Sequence, residues 1–129
     1  MQAKSGKSRA FLYYFKHAPP APTGMYREPD SPDFGAYHGA EILYALNNLG
    51  VYQWKWGSSD RNLADVLSSY WVNFARTGDP NGMGLPRWPA FGYSRQQAMH
   101  FGAKIGAGPV PHQAELDWFE RYLARRQIN

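Results

Sequence analysis

The sequence predicts an α/β fold with an incomplete sheet, and three stretches carry that reading. Residues 10–15, Ala-Phe-Leu-Tyr-Tyr-Phe, form an unbroken apolar and aromatic run. Such a run does not alternate, so it fits a strand covered on both faces, as inside a parallel sheet. Over residues 60–76, Leu63, Val66, Leu67, Tyr70, Trp71 and Phe74 recur at helical spacing and define one apolar face. Between these two lies a stretch, residues 17–32, holding Pro19, Pro20, Pro22, Pro29 and Pro32. Proline at that density excludes helix and central strand alike and leaves a long ordered loop.

Taken in order, residues 1–9 are a polar, basic N-terminal tail, and residues 10–129 form the folded segment. The tail contains two decoys around Gly6-Lys7-Ser8. A phosphate-binding loop needs a glycine where Met1 stands and a strand before it. A nucleophile elbow needs a strand before and a helix after, and here a strand follows. The strand at residues 10–15 then asks for neighbours, and the one other plausible strand lies near residues 97–101. A short helix is expected over residues 41–49, stopped by Gly50. Val51 to Gly57 is an aromatic connection with Trp54 and Trp56 two apart, and Ser58 or Ser59 can cap the next helix. That helix ends at Gly78, and Pro80 prevents its return. Asp79-Pro80-Asn81-Gly82 is a turn, residues 84–90 are a loop around Trp88, and residues 102–111 are loop. A last helix over residues 113–126 carries Leu116, Phe119 and Leu123 on one stripe, with Arg121, Arg125 and Arg126 favourable at its C-terminal end.

Composition narrows the function classes. There is no cysteine, which excludes disulfides, Cys-ligated zinc and thiol nucleophiles. The formal net charge is +4. The surplus sits at the two ends, on Lys4, Lys7, Arg9 and Lys16 and on the three C-terminal arginines, while the middle is slightly acidic. Solvated termini explain that distribution better than a phosphate-tracking face, so no nucleic-acid partner is expected. No signal peptide or membrane span is visible; the compartment stays open, with the cytoplasm the better fit.

The chemistry-bearing stretch is Gly35-Ala36-Tyr37-His38-Gly39-Ala40-Glu41. Gly35 and Gly39 let the backbone take positive φ on either side of His38 and hold its imidazole outward. Histidine is the side chain suited to exchanging protons near neutrality. Glu41 suits the first turn of the following helix, where its charge meets the helix dipole. The alternative, that it tunes the electrostatics of the histidine three residues before it, is the less favoured reading. A zinc reading of His38-x-x-Glu41 finds no further ligand at recognisable spacing in His100 or His112, and no metal or other cofactor is expected.

The motif G-A-Y-H-G-A-E-I-L resembles the catalytic-histidine motif of the type-B carboxylesterases, the esterase/lipase and cholinesterase family of α/β-hydrolases. Y-W-V-N-F-A-R-T-G-D-P-N, from Tyr70 to Asn81, is similar to a second signature of that family, and W-P-A-F from Trp88 to its usual sequel. The resemblance runs from Ala10 to about Arg125. It implies the C-terminal portion of an α/β-hydrolase and of a cofactor-free serine esterase acting on small-molecule carboxylic esters. In it His38 is the triad base, and Glu41, Gly35, Gly39 and Tyr37 are structural or supporting. Triad order on this fold is Ser, then acid, then His. No G-x-S-x-G, no oxyanion glycine run and no placeable acid partner accompanies His38 here, so the isolated segment is expected to be inactive. Tyr37 stands where Phe or Met is common, and Leu46 where an aromatic is frequent. The competing reading is a non-catalytic interaction module of the same fold, in which the unpaired strand at residues 10–15 binds another chain, or a second copy, by edge addition.

Overall fold

The structure, a computed structural model, describes residues 8–22, 35–92 and 96–126. Much of the proline-rich loop and of the basic tail lies outside them. A three-stranded sheet takes the order β1 (Tyr13–Phe15), β2 (Gln97–Phe101), β3 (Gly106–Pro109). β1 runs parallel to β2, with Tyr14 opposite His100, and β3 returns antiparallel with Ala98 opposite Gly108. Helices α1 (Ile42–Ala45), α2 (Ser58–Thr77) and α3 (Gln113–Arg126) complete the regular structure, with a 3-10 turn at Leu49–Val51. These are the α/β class and the three helices expected, with one strand more.

The extra strand corrects the loop expected over residues 102–111. Its sequence, Gly-Ala-Gly-Pro, has almost no strand propensity. Pairing with β2 imposes the conformation, and Gly108 fits because a Cβ there would come within 3.2 Å of the His100 ring. β1 is shorter than its apolar run, although Ala10 still bridges to Phe91. It is also less covered: Leu12 and Tyr14 are exposed, while Phe11, Tyr13 and Phe15 pack against the core. β1 does have a partner, β2, and its other edge carries no strand among the described residues.

Two helix boundaries also differ from expectation. The first helix is four residues long and closes at Leu46, and Asn47 takes φ 48°. The stop is therefore Asn47, which tolerates the left-handed region, and Gly50 sits inside the 3-10 turn. Before α2, Gly57 is the capping residue, and neither serine caps. The Asp60 carboxylate, three residues on, accepts the Gly57 N–H at 2.8 Å and completes the helix start from inside. The far end follows the sequence: Gly78 takes φ 75° and its N–H bonds the Phe74 carbonyl.

The core forms where α2 crosses the sheet. Leu63, Ala64, Leu67 and Tyr70 face Met99 and Phe101, with Tyr44, Ala45 and Leu49 closing one side. Trp88 fills the other, its ring centroid 5.2 Å from Tyr70 and 5.4 Å from Phe101 in edge-on contacts. Its indole N–H donates to the Leu12 carbonyl at 3.0 Å. Asn81 grips its backbone at both polar groups, at 2.7 and 2.9 Å, and is held in turn by Asp79. The Asp-Pro-Asn turn is thus a clamp that delivers one tryptophan to the core.

Candidate active site

The turn that bears His38 is built by its glycines. Gly35 and Gly39 have φ 55° and 82°, values an L side chain adopts only with strain. The Ala40 N–H bonds the Tyr37 carbonyl at 3.0 Å, and the Ile42 N–H bonds that of Gly39 at 3.2 Å. Ala40 is fully buried and pins the turn, while His38 stands exposed on its crest. Of the other histidines, His112 is exposed as well. His17 is bonded to Asp60 at 2.7 Å, His100 to the Pro109 carbonyl at 2.8 Å, and His112 lies 3.9 Å from Glu115.

Glu41 is the capping residue of α1 rather than part of its first turn. Its carboxylate lies near the Tyr13 phenol at the start of β1. Burial pushes the Tyr13 phenol up, and the charge and hydrogen bond of Glu41 add to the effect. The glutamate thus places its charge beside the start of the sheet. Tyr37 is half-buried, and its nearness to Tyr44 adds to the forces holding the Tyr44 proton in place.

Beneath the turn lies a polar knot. Asp60 is buried, and its carboxylate accepts three hydrogen bonds: from Tyr44 of α1 at 2.7 Å, from His17 Nε2 at 2.7 Å and from the Gly57 N–H at 2.8 Å. Burial alone would raise the Asp60 pKa. The hydrogen bonds from His17, Tyr44 and Gly57, with the His17 charge, outweigh it and hold the carboxyl below the usual range. The Tyr44 phenol is pushed well up, by burial first and then by Asp60. Sequence reading missed Asp60, His17, Tyr44 and Tyr13. Their signals were faint: a histidine closing an apolar strand, a tyrosine on the buried side of a short helix, and an acid three residues after a helix-capping glycine.

The described residues contain no cluster of three or more His, Cys, Asp or Glu able to hold a metal ion, and no helix long and apolar enough to cross a membrane. An exposed imidazole on a rigid turn beside a sheet can accept and return a proton.

The arrangement of strands and helices is that of a portion of an esterase α/β-hydrolase. It superposes on a PNB esterase with a TM-score of 0.70 at 20% identity, over 88% of this chain and 22% of the other. A carboxylesterase of Geobacillus stearothermophilus gives 0.66 at 26% identity, over 88% and 22%. The model of the carboxylesterase family matches residues 1–117, and the chain belongs to that family. Among curated relatives, carboxylesterase 5A of Canis lupus familiaris is 40% identical over 122 residues, covering 88% of this chain and 20% of its own length. Liver carboxylesterase 1 of Oryctolagus cuniculus is 39% identical over 116 residues, with 81% and 20% covered. The chain spans about 20% of the length of the curated relatives it matches.

Proposed function

We propose that this chain is the C-terminal part of a serine carboxylesterase and that His38 is its general base and acid. The observation that carries the reading is the exposed imidazole of His38 on a turn set by Gly35 and Gly39, three residues before Glu41 at the start of α1. In acylation His38 takes the proton of a serine hydroxyl as that oxygen attacks the ester carbonyl. It then delivers the proton to the departing alcohol. In deacylation it takes a proton from water and returns it to the serine. The serine, the orienting carboxylate and the oxyanion donors come from the part of the hydrolase outside these residues. Gly35, Gly39, Tyr37 and Glu41 act by shaping and holding the turn. The substrate is a small-molecule carboxylic ester, and no cofactor takes part.

A base contributes roughly 10²–10⁴-fold, and only with a nucleophile in hydrogen-bond reach. The 129 residues alone are therefore expected to hydrolyse p-nitrophenyl acetate no faster than free imidazole at equal concentration. Saturable turnover by the isolated chain, lost in His38→Ala, would show that the nucleophile lies within it and overturn the division of labour. The open edge of β1 and the exposed Leu12 and Tyr14 also support self-association of the isolated chain by strand pairing. Light scattering should find dimers or larger species, and a monodisperse, folded monomer would contradict this.

A further inference from the structure

The geometry points to Asp60 as a positioning residue for His38, acting through Tyr44; the inference rests on the proposed role of His38 as the base. Asp60 is the one buried charged side chain among the described residues. Three parts of the fold converge on it. His17 arrives from the chain just beyond β1, Tyr44 from α1, and the Gly57 N–H from the start of α2. Helix α1 is only four residues long and has no side-chain cap at its N-terminus. A helix of that length does not hold itself in place. Its position comes from the burial of Tyr44 and Ala45, from the hydrogen bond of Tyr44 to Asp60, and from the electrostatic interaction of Glu41 with Tyr13. The His38 turn runs directly into α1, so whatever fixes the helix fixes the imidazole.

The two interactions are not equivalent. Glu41 is half-buried and lies near Tyr13, the first residue of β1, with its charge acting on that phenol. Tyr44 is fully buried, with its ring edge-on to His17 at 5.4 Å and to Trp56 at 6.0 Å, so its hydroxyl has one direction available and Asp60 occupies it. Asp60 cannot move to follow a displaced tyrosine, because its second oxygen is held by Gly57 and its first is shared with His17. Loss of this bond frees α1 to shift by fractions of an ångström, and a base misplaced on that scale costs rate rather than substrate affinity.

The test uses the complete hydrolase that carries these residues, with Tyr44→Phe, Asp60→Asn, the double variant and His38→Ala. In the Tyr44 and Asp60 variants active sites are counted by the p-nitrophenol burst or a phosphonate titrant, so that turnover is expressed per competent serine; His38→Ala, which lacks the base that titration needs, is compared per mole of folded enzyme. Tyr44→Phe, which removes one oxygen and keeps the ring, should lower kcat per titrated site by about 3–10-fold with KM within about twofold. Asp60→Asn should lower it further, and the double variant should be no worse than Asp60→Asn alone, because both changes cut one link. Should Asp60→Asn fail to fold, Tyr44→Phe decides by itself. Unchanged kcat per site in Tyr44→Phe, even with a lowered Tm, would reduce Asp60 to a fold-stabilising residue and overturn the inference. Wild-type turnover in His38→Ala would instead overturn the underlying reading and this inference with it.

Discussion

Helices α2 and α3 carry the same kind of apolar stripe and are used in opposite ways. On α2, Leu63, Ala64, Leu67 and Tyr70 are buried against the sheet and Trp88. On α3 no residue is buried, and Leu116, Phe119 and Leu123 are each about half exposed. The contrast extends to two tryptophans: Trp88 is 4% exposed and Trp118 55%. Helix α3 is held mainly by contacts along itself, with Trp118 stacked on Tyr122 at 5.4 Å, Arg126 over Tyr122 at 5.1 Å, and Gln113 bonded to Asp117. An apolar stripe therefore states a requirement for cover, and the surrounding chain decides whether the requirement is met. The sheet repeats the lesson: one face of β1 meets the core while Leu12 and Tyr14 are exposed.

The sharpest way to break this comparison is at its packed end. Trp88→Ala removes the ring around which Tyr70, Phe101 and Tyr13 are arranged and should cost about 3–5 kcal/mol in a urea melt. A loss below about 1 kcal/mol would mean that the aromatic core does not carry the stability assigned to it.

Next in size is Asp60, the one charged group among the described residues of that core. Asp60→Asn leaves donors mismatched and should cost about 1–3 kcal/mol near neutrality. The folded-state pKa is depressed, so the stabilisation is fully present above the ordinary carboxylate value of about 3.9 and is lost as pH falls below it, through the lowered folded value. Stability of the parent should therefore decline with acid in that window more steeply than stability of Asp60→Asn. Parallel slopes would show that Asp60 is not ionised in the knot. The smallest effect belongs to the exposed helix, where Trp118→Ala should change stability by less than about 0.5 kcal/mol.

What the sequence made legible follows the range of the interactions. The periodicity of α2, the capping role of Gly78, the apolar run of β1 and the positive φ of Gly35 and Gly39 are local, and local spacing reports them. β3 was hidden because Gly-Ala-Gly-Pro becomes a strand only by pairing with β2. The length of α1 was hidden because Asn47, not Gly50, takes the left-handed conformation that stops it. The polar knot was hidden for a third reason: His17 and Tyr44 lie 43 and 16 residues from Asp60 along the chain. No pattern of spacing announces such a meeting, although a tyrosine buried in an apolar helix implies that some acceptor must find its hydroxyl.

The central claim is that His38 moves the proton. Its most direct test is turnover of p-nitrophenyl acetate by the complete hydrolase, per mole of folded enzyme, with and without His38→Ala. The account predicts a fall of at least about 10²-fold in kcat, with free imidazole restoring part of it. Turnover within about threefold of the parent would contradict the account, because the proton would then be carried by a group other than this ring.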